Sequence, residues 1–243
     1  MPKQVDHAGR RHLIAEAVCR LADERGLEGV TLRDVAARAQ VSMGAVQRCF
    51  RTKEEMLVFT LGHIGEQVGE RVRARLVRSP AQSARTALGH AATEVSLLEE
   101  ERHAEARVWL AFLAQAAVDE SLARTLRSNY AALQGVFVRL AAEAARTTGH
   151  TGNVEGTREA GRAGEAGRAG EAEGTEDTGR PGEAEGAAPF DPLVEARTLL
   201  ALADGLTAHV LIGHLAPREA REVVHTHLEN LWERLSRPAR TEF

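Results

Sequence analysis

The fold of this chain is decided by residues 31–53, TLRDVAARAQVSMGAVQRCFRTK. Thr31 and Ser42 are both good helix N-caps, because a hydroxyl can accept a hydrogen bond from a free backbone N–H of the first turn. The apolar residues that follow Thr31 share one helical face: Leu32, Val35, Ala36 and Ala39. After Ser42, Val46 and Phe50 face inward in the same way. The stretch predicts two short helices joined by a tight turn, which is the layout of a helix-turn-helix.

The first turns of the second helix have the composition of a surface that reads DNA. The residues predicted to point outward are Met43, Gly44, Ala45, Gln47 and Arg48. Gly44 and Ala45 allow close approach to a major groove, while Gln47 and Arg48 carry donors for base edges and phosphate oxygens. Residues 29–53 hold five bases and one acid, a local charge of +4 in a chain whose formal net charge is −4. Such a local patch is sufficient to neutralise phosphates.

Periodicity alone fits two ordinary amphipathic helices equally well. The order of residue types from Leu13 to Leu57 goes further, because it resembles the TetR (TetR/AcrR) family of bacterial transcriptional repressors. The matching residues are Ile14, Ala17, Val18, Leu21, Gly26, Thr31, Asp34, Val35, Ala36, Val41, Ser42, Gly44, Phe50, Lys53, Glu54, Glu55, Met56 and Leu57. The resemblance implies an all-α protein with an N-terminal three-helix DNA-binding domain and a C-terminal helical domain for ligand binding and dimerisation.

The same resemblance implies DNA contacts at the matching positions. Thr31 and Arg33 would bind a phosphate or a nearby base, and Lys53 would hold a phosphate at the start of the fourth helix. The residues implied to face the groove are Ser42, Met43, Ala45, Gln47 and Arg48. Lys53 has independent support, because the chain has only one other lysine, Lys3.

Two positions depart from the family's pattern. Gln40 stands where the family usually has glycine, and Gln47 where it usually has an aromatic residue, most often tyrosine. If the turn needs a positive φ, Gln40 is strained, and Gln47 offers only an amide in place of the tyrosine contact. We interpret both as an altered operator preference. The alternative is a helical small-molecule-binding or redox-sensing module whose DNA recognition has degenerated.

Composition predicts a bacterial cytoplasmic protein without a membrane partner. The chain has no signal-peptide pattern and no apolar run long enough to span a bilayer, and its two cysteines fit a reducing compartment. Cys49 could act as a thiol sensor, although a small buried residue explains it as well. Because no nucleophile motif, phosphate loop, Cys–His cluster or helical metal-ligand pair is present, we expect neither an enzyme nor a cofactor or metal.

The whole chain divides into four predicted segments. They are the DNA-binding domain at 1–53, linking and ligand-sensing helices at 54–146, an insertion at 147–189, and dimerisation helices at 190–236. The insertion contains the tandem hexapeptide EAGRAG at 159–164 and 165–170, and its composition predicts disorder. An inert spacer and an acidic interaction segment both remain open for it.

The last two predicted helices carry wide apolar faces. The first face includes Leu193, Ala196, Leu199, Leu200, Ala203, Leu206, Val210 and Leu211, and the second includes Val223, Val224, Leu228, Leu231 and Leu235. The resemblance implies pairing with the same helices of a second subunit, and an intrachain core is the alternative. A homodimer would place its recognition helices roughly 34–36 Å apart and require a pseudo-palindromic operator in double-stranded DNA.

The scarce aromatic residues of the middle helices mark a candidate pocket for an unknown small-molecule effector. The candidate residues are Trp109, Phe112, Tyr130 and Phe137, with His103 and Arg107 at the rim. Residues 107–134 resemble, less specifically, the sensor domain of the choline-responsive BetI-like subgroup, from which the ligand's identity does not transfer. Core packing explains the aromatics as well, and solvated helix surface explains His103 and Arg107. The overall prediction is a homodimeric repressor that an effector releases from its operator.

Overall fold

The computed structural model describes residues 7–78, 83–159 and 190–236, with the backbone alone for residues 148–159. Within these ranges the chain folds into nine α-helices without a strand, which confirms the all-helical prediction. The helices are α1 (His7–Arg25), α2 (Leu32–Arg38), α3 (Met43–Cys49), α4 (Lys53–Val77), α5 (Ala84–Val95), α6 (His103–Ala116), α7 (Glu120–Glu159), α8 (Pro192–Leu211) and α9 (Pro217–Ser236). A 3₁₀ turn at Glu100–Arg102 leads into α6.

Side-chain caps fix the start of most helices, including the two caps predicted at Thr31 and Ser42. The hydroxyls of Thr31, Ser42, Thr52 and Ser83 each accept a hydrogen bond from the backbone N–H three residues later. Each bond satisfies one of the N–H groups that the first turn of a helix leaves free. Asp191 caps α8 through the N–H of Leu193, and Pro192 occupies the first turn, where its missing N–H costs nothing.

The N-terminal domain consists of α1, α2 and α3 packed around a small apolar core. The fully buried residues at its centre are Ile14, Val18, Val30, Val35, Val46 and Phe50. The N-terminal domain contacts the rest of the molecule through α1, which packs against both α4 and α6. A movement of α4 or α6 would therefore act on the DNA-binding helices through α1.

The C-terminal domain is a bundle in which α7 is the central helix. It packs against α4, α5, α6, α8 and α9. The core of the bundle includes Leu61, Leu88, Phe112, Phe137, Leu199 and Leu231, all almost completely buried. This core is continuous with the core of the N-terminal domain, so the two domains form one packed unit.

Two sequence predictions about this bundle need correction. Helix α7 continues to Glu159, past residue 147, where the insertion was predicted to begin. Extending an existing helix adds a hydrogen bond per residue without a nucleation cost, although residues 148–159 include glycines at 149, 152 and 156, which have low helix propensity. Residues 160–189, the remainder of the predicted insertion, lie outside the described residues.

The second correction concerns the predicted dimerisation helices. The apolar face of α8 that the sequence assigned to a partner subunit is buried within one chain, where Leu199, Leu206 and Val210 contribute to the core. The opposite side of α8 is exposed and carries Val194, Ala201 and Gly205, with Ile212 at the C-cap of the helix. The sequence of a helix with one apolar stripe does not show whether the stripe packs against the same chain or against a partner subunit.

Candidate nucleic-acid interface and interior cavity

The outward face of α3 is the first part of the candidate interface. Ser42 Oγ accepts from Ala45 N at 3.1 Å, which fixes the first turn of α3. Val46 and Phe50 are fully buried beneath the helix, while Met43, Gln47 and Arg48 are exposed. The predicted division of α3 into an inward and an outward side is confirmed for these residues.

Ala45 is an exception to the predicted outward face. It is only 6% exposed, so the expectation that it points outward is wrong. Ala45 lies four residues before Cys49 and next to Val46 in sequence, and both of these are buried. Residues four apart stack on one side of a helix, so Ala45 extends the inward face by one position. Its side chain is small, and its burial brings α3 close to the core of the domain.

The turn between α2 and α3 has the strained geometry that the sequence implied. Gln40 adopts a φ of 55°, in the left-handed region that usually selects glycine. Its N–H donates to Ala37 O at 3.2 Å, and the N–H of Val41 donates to Ala36 O at 3.0 Å. These are the two bonds of a Schellman motif, which requires a left-handed residue directly after the helix cap. Gln40 therefore completes the helix-turn-helix in place of glycine.

The basic residues around this motif differ in whether their side chains bond to other protein groups. Arg33 and Arg48 are exposed. Arg38 is engaged by Glu24 of α1 through two hydrogen bonds of 2.7 Å, and these bonds lower the pKa of Glu24. Lys53 occupies the first position of α4, and its Nζ donates to Glu28 O at 3.1 Å. This bond places the ammonium group beside the N-terminus of α4, where the helix dipole also favours an anion.

Thr31 has a structural role in addition to any contact with DNA. Its Oγ1 donates to Asp34 Oδ2 at 2.7 Å and accepts from Asp34 N at 3.2 Å. The side chain is exposed, so it remains available at the start of α2.

One residue that positions α3 was not found from the sequence. The Arg11 guanidinium of α1 lies over the rings of Phe50, at 4.6 Å from the centroid, and Phe59, at 4.3 Å. This stacking of a cation on two aromatic faces joins α1 to the end of α3 and to α4. An arginine on an amphipathic helix reads as solvated surface, so periodicity gave no signal for the contact.

The second candidate site is a partly buried carboxylate in the C-terminal domain. Asp204 of α8 accepts a hydrogen bond from Trp109 Nε1 at 2.9 Å through Oδ1, and Tyr130 donates its hydroxyl to Oδ2. The two rings meet edge to face, with centroids 5.7 Å apart. Burial raises the pKa of Asp204, although both hydrogen bonds oppose that rise. Within the described residues Asp204 takes part in no ion pair, so its charge is balanced only by neutral donors.

A small cavity lies beside this carboxylate. It measures about 20 Å³, room for about one water molecule, and its walls include Trp109, Tyr130, Leu133, Leu200 and Asp204. Leu97 also lines it and has a φ of 47°, a left-handed conformation that is uncommon for a bulky side chain. Backbone strain of this kind is often found where a site holds its shape against the local preference of the chain.

The remaining pocket residues predicted from the sequence do not line this cavity. Phe112 and Phe137 are fully buried in the core. Arg107 points to the N-terminal domain, where its Nε lies 2.6 Å from Asp23 Oδ1 of α1. His103 Nε2 is buried and has no hydrogen-bond partner among the described residues. Only the aromatic pair Trp109 and Tyr130 reaches the site, because helical spacing gives a residue's face but not the neighbour it meets.

The chemistry of the cysteines argues against a thiol sensor. Burial, with help from the nearby carboxylate of Glu105, raises the pKa of Cys19 to about 12, so the thiol stays protonated at neutral pH. Cys49 is buried on the inward side of α3. A redox-sensing cysteine needs thiolate character and access, and neither residue provides both.

Comparison with known proteins agrees with this architecture. Residues 14–58 match the family described as bacterial regulatory proteins, tetR family, and residues 69–164 and 173–233 match the BetI-type transcriptional repressor C-terminal domain. The chain therefore belongs to the TetR family of transcriptional regulators, with a BetI-type C-terminal domain. It is a DNA-binding regulator and not an enzyme. None of the helices in the described ranges is long and apolar enough to cross a membrane.

Individual relatives give the same result over different lengths. The regulator PksA of Bacillus subtilis is 39% identical over 118 residues, which cover 48% of this chain and 56% of PksA. The regulator BetI of Burkholderia mallei is 34% identical over 152 residues, covering 60% of this chain and 73% of BetI. A transcriptional regulator from Saccharomonospora viridis, solved in complex with choline, is 18% identical with a TM-score of 0.66. That match covers 91% of this chain and 96% of the other.

Proposed function

We propose that this protein is a homodimeric repressor that occupies a pseudo-palindromic operator and is released by a small-molecule effector. The observation that carries the DNA-binding half is the exposed first turn of α3, fixed by the Ser42 cap and flanked by Lys53. The base edges would be reached by Met43, Gln47 and Arg48. The sugar–phosphate backbone of the DNA would be contacted by Thr31, Arg33, Ser42 and Lys53. Gly44, at the start of α3, allows close approach.

The exposed side of α8 supports the proposed dimer. Val194, Ala201 and Gly205 lie on that side, with Ile212 at the C-cap of the helix, and Val223 is exposed on α9. Small residues on a helix permit close approach of a second helix, and the flanking apolar residues gain from burial. A two-fold interface there would place the two α3 helices about one DNA turn apart, roughly 34–36 Å.

The effector is proposed to be an organic cation that binds at Asp204. A carboxylate without a cationic partner, flanked by two aromatic rings, is suited to a ligand with an ammonium group. The S. viridis regulator, solved in complex with choline, supports this ligand class. Because Trp109 lies on α6, and Arg107 of the same helix pairs with Asp23 of α1, a ligand that displaces Trp109 would disturb α1.

The DNA-binding proposal is tested by selecting bound fragments from a random DNA pool with purified protein. We expect an inverted repeat to be enriched. Lys53→Ala should weaken binding to all sequences and reduce the salt slope by about one, whereas Arg48→Ala should also relax base preference at one position of each half-site by about 1–3 kcal/mol. Arg218→Ala, an exposed arginine of α9, is the charge-matched control. Unchanged affinity in both DNA-face variants would refute the assignment.

The effector proposal is tested by titrating choline against the operator complex. We expect dissociation from wild-type protein and a loss of at least tenfold in choline affinity for Asp204→Asn, which keeps the side-chain shape. Glu233→Gln, an exposed change on α9, removes the same charge elsewhere and should have no effect. Equal choline affinities of the two variants would show that Asp204 is not part of the effector site.

A further inference from the structure

A long groove between α4 and α7 shares its wall with the Asp204 cavity. The groove has a volume of about 790 Å³, and Gly65 and Leu133 line both spaces. The cavity alone, at about 20 Å³, has no room for a ligand larger than water. The groove is a large space that shares two wall residues with the cavity.

One short side chain packs against the shared wall on its groove side. Asn129 of α7 rests on Gly65 of α4, and its Nδ2 donates to Leu61 O at 3.0 Å. A Cβ at Gly65 would lie only 2.3 Å from Asn129 Cγ, so the glycine is what allows the amide to lie there. A single hydrogen bond from a side chain is worth only about 1 kcal/mol, which a ligand can replace.

The lining of the groove is suited to an apolar body with polar edges. On the α4 side of the groove, no side chains project from the glycines at 62, 65 and 69. Apolar surface is supplied by Val58, Val72, Leu133 and Val136. Thr125, Ser128 and Glu66 lie among the polar residues that line the groove. An alkyl or ring system could lie against the apolar part while polar substituents remain in contact with water.

We infer that the effector is an elongated organic cation whose ammonium group binds Asp204 and whose apolar body lies in the groove between α4 and α7. This inference rests on the proposed cationic effector and specifies it further. The ligand passes between α4 and α7 at Gly65, displaces Asn129 from Leu61 O, and remains there once bound. A cation without such a body uses only part of the site.

The test is a chain-length series of alkyltrimethylammonium ions in a Trp232→Phe background, where Trp109 is the remaining tryptophan. Tetramethylammonium, butyltrimethylammonium and hexyltrimethylammonium are titrated below micelle-forming concentrations, and Trp109 fluorescence gives the dissociation constant. We expect affinity to rise about twofold to fourfold per methylene, the range for partial to full burial of each group. The Asp204→Asn variant should lose the response to every member.

A groove-filling variant locates the chain. Gly62→Leu should reduce the ratio of hexyl to tetramethyl affinity by at least tenfold, because its Cβ meets only Thr125 Cγ2 at 3.9 Å and the leucine can extend into the groove. Gly135→Leu on α7 is the matched control, since Gly135 is not among the groove-lining residues. The chain-length series in unsubstituted Gly62 protein does not depend on the folding of either variant.

The outcomes separate this inference from the proposed function. Binding through Asp204 that is independent of chain length, or a length dependence that Gly62→Leu leaves unchanged, overturns the elongated ligand and keeps the cationic effector. Absence of cation binding at Asp204 overturns both. A steep length dependence that Gly62→Leu abolishes and Gly135→Leu leaves unchanged supports the inference.

Discussion

The contact between Gly65 and Asn129 predicts that one substitution changes sign with its background. Gly65→Ala adds a helix-favouring residue in the middle of α4, worth about 1 kcal/mol. In the wild-type protein the new Cβ would lie 2.3 Å from Asn129 Cγ, so Asn129 has to leave its position. That movement costs the bond to Leu61 O, about 1 kcal/mol, and an off-rotamer side chain or helix shift of about 1 kcal/mol. We expect net destabilisation by about 1 kcal/mol.

In an Asn129→Ala background the three atoms nearest to the new Cβ, all from the Asn129 amide, are absent, and we expect the helix propensity to dominate. Gly65→Ala should then stabilise the protein by about 1 kcal/mol, which gives a coupling energy of about 2 kcal/mol between the two positions. Gly62→Ala is the matched control, because its Cβ would meet Thr125 Cγ2 at an ordinary 3.9 Å. It should stabilise both backgrounds by about 1 kcal/mol.

The assay is urea unfolding followed by far-UV circular dichroism, with all variants at one protomer concentration because a dimer's stability depends on it. The free energies of the four proteins in the cycle give the coupling directly. An equal effect of Gly65→Ala in both backgrounds would show that Asn129 does not lie on Gly65, and the proposed passage between α4 and α7 would lose its barrier.

Three further predictions concern the strained turn at Gln40, the partly buried thiol of Cys19 and the partly buried carboxylate of Asp204. Gln40→Gly should raise the free energy of unfolding by about 0.5–1 kcal/mol, measured by urea unfolding, because it relieves a left-handed φ of 55° at some entropic cost. Cys19, with its pKa raised to about 12, should react with iodoacetamide at neutral pH far more slowly in folded than in unfolded protein, as mass spectrometry can measure. Burial raises the pKa of folded Asp204 above its unfolded value of 3.8. The stability of wild-type protein relative to Asp204→Asn should therefore be greatest at acid pH and decline as pH rises through the folded pKa. In urea titrations, a stability difference that increases with rising pH would contradict the burial.

The DNA-binding half of the molecule was largely predictable because its determinants are local. The caps at Thr31 and Ser42 act over three residues, and the buried positions Val46 and Phe50 follow directly from helical spacing. Even the conformation of Gln40 could be anticipated, since a Schellman turn needs a left-handed residue whatever its side chain. Ala45 was placed wrongly because it lies at the edge of the buried stripe, where periodicity has least resolving power.

The interior site was not predictable in the same way. Asp204 meets Trp109 and Tyr130 across separations of 95 and 74 residues, and periodicity carries no information about such pairings. The available signal was a carboxylate among Leu199, Ala203 and Leu206, an unusual position for a charge on an apolar helix. Arg107 shows the reverse error, since a residue two positions from Trp109 points away from it to α1.

The placement of Gly65 and Lys53 on one helix connects the interior site to DNA. They are separated by twelve residues of the uninterrupted helix α4, about 18 Å at 1.5 Å per residue. A ligand body that enters between α4 and α7 has to increase the distance between these two helices at Gly65. Because α4 is a continuous helix, it transmits that displacement to its own N-terminus, where Lys53 lies. Lys53 and the adjoining α3 then move in both subunits of the proposed dimer. Because a palindromic operator requires both half-sites at one fixed spacing, a preference of only 1–3 kcal/mol for the displaced arrangement is sufficient to reduce occupancy.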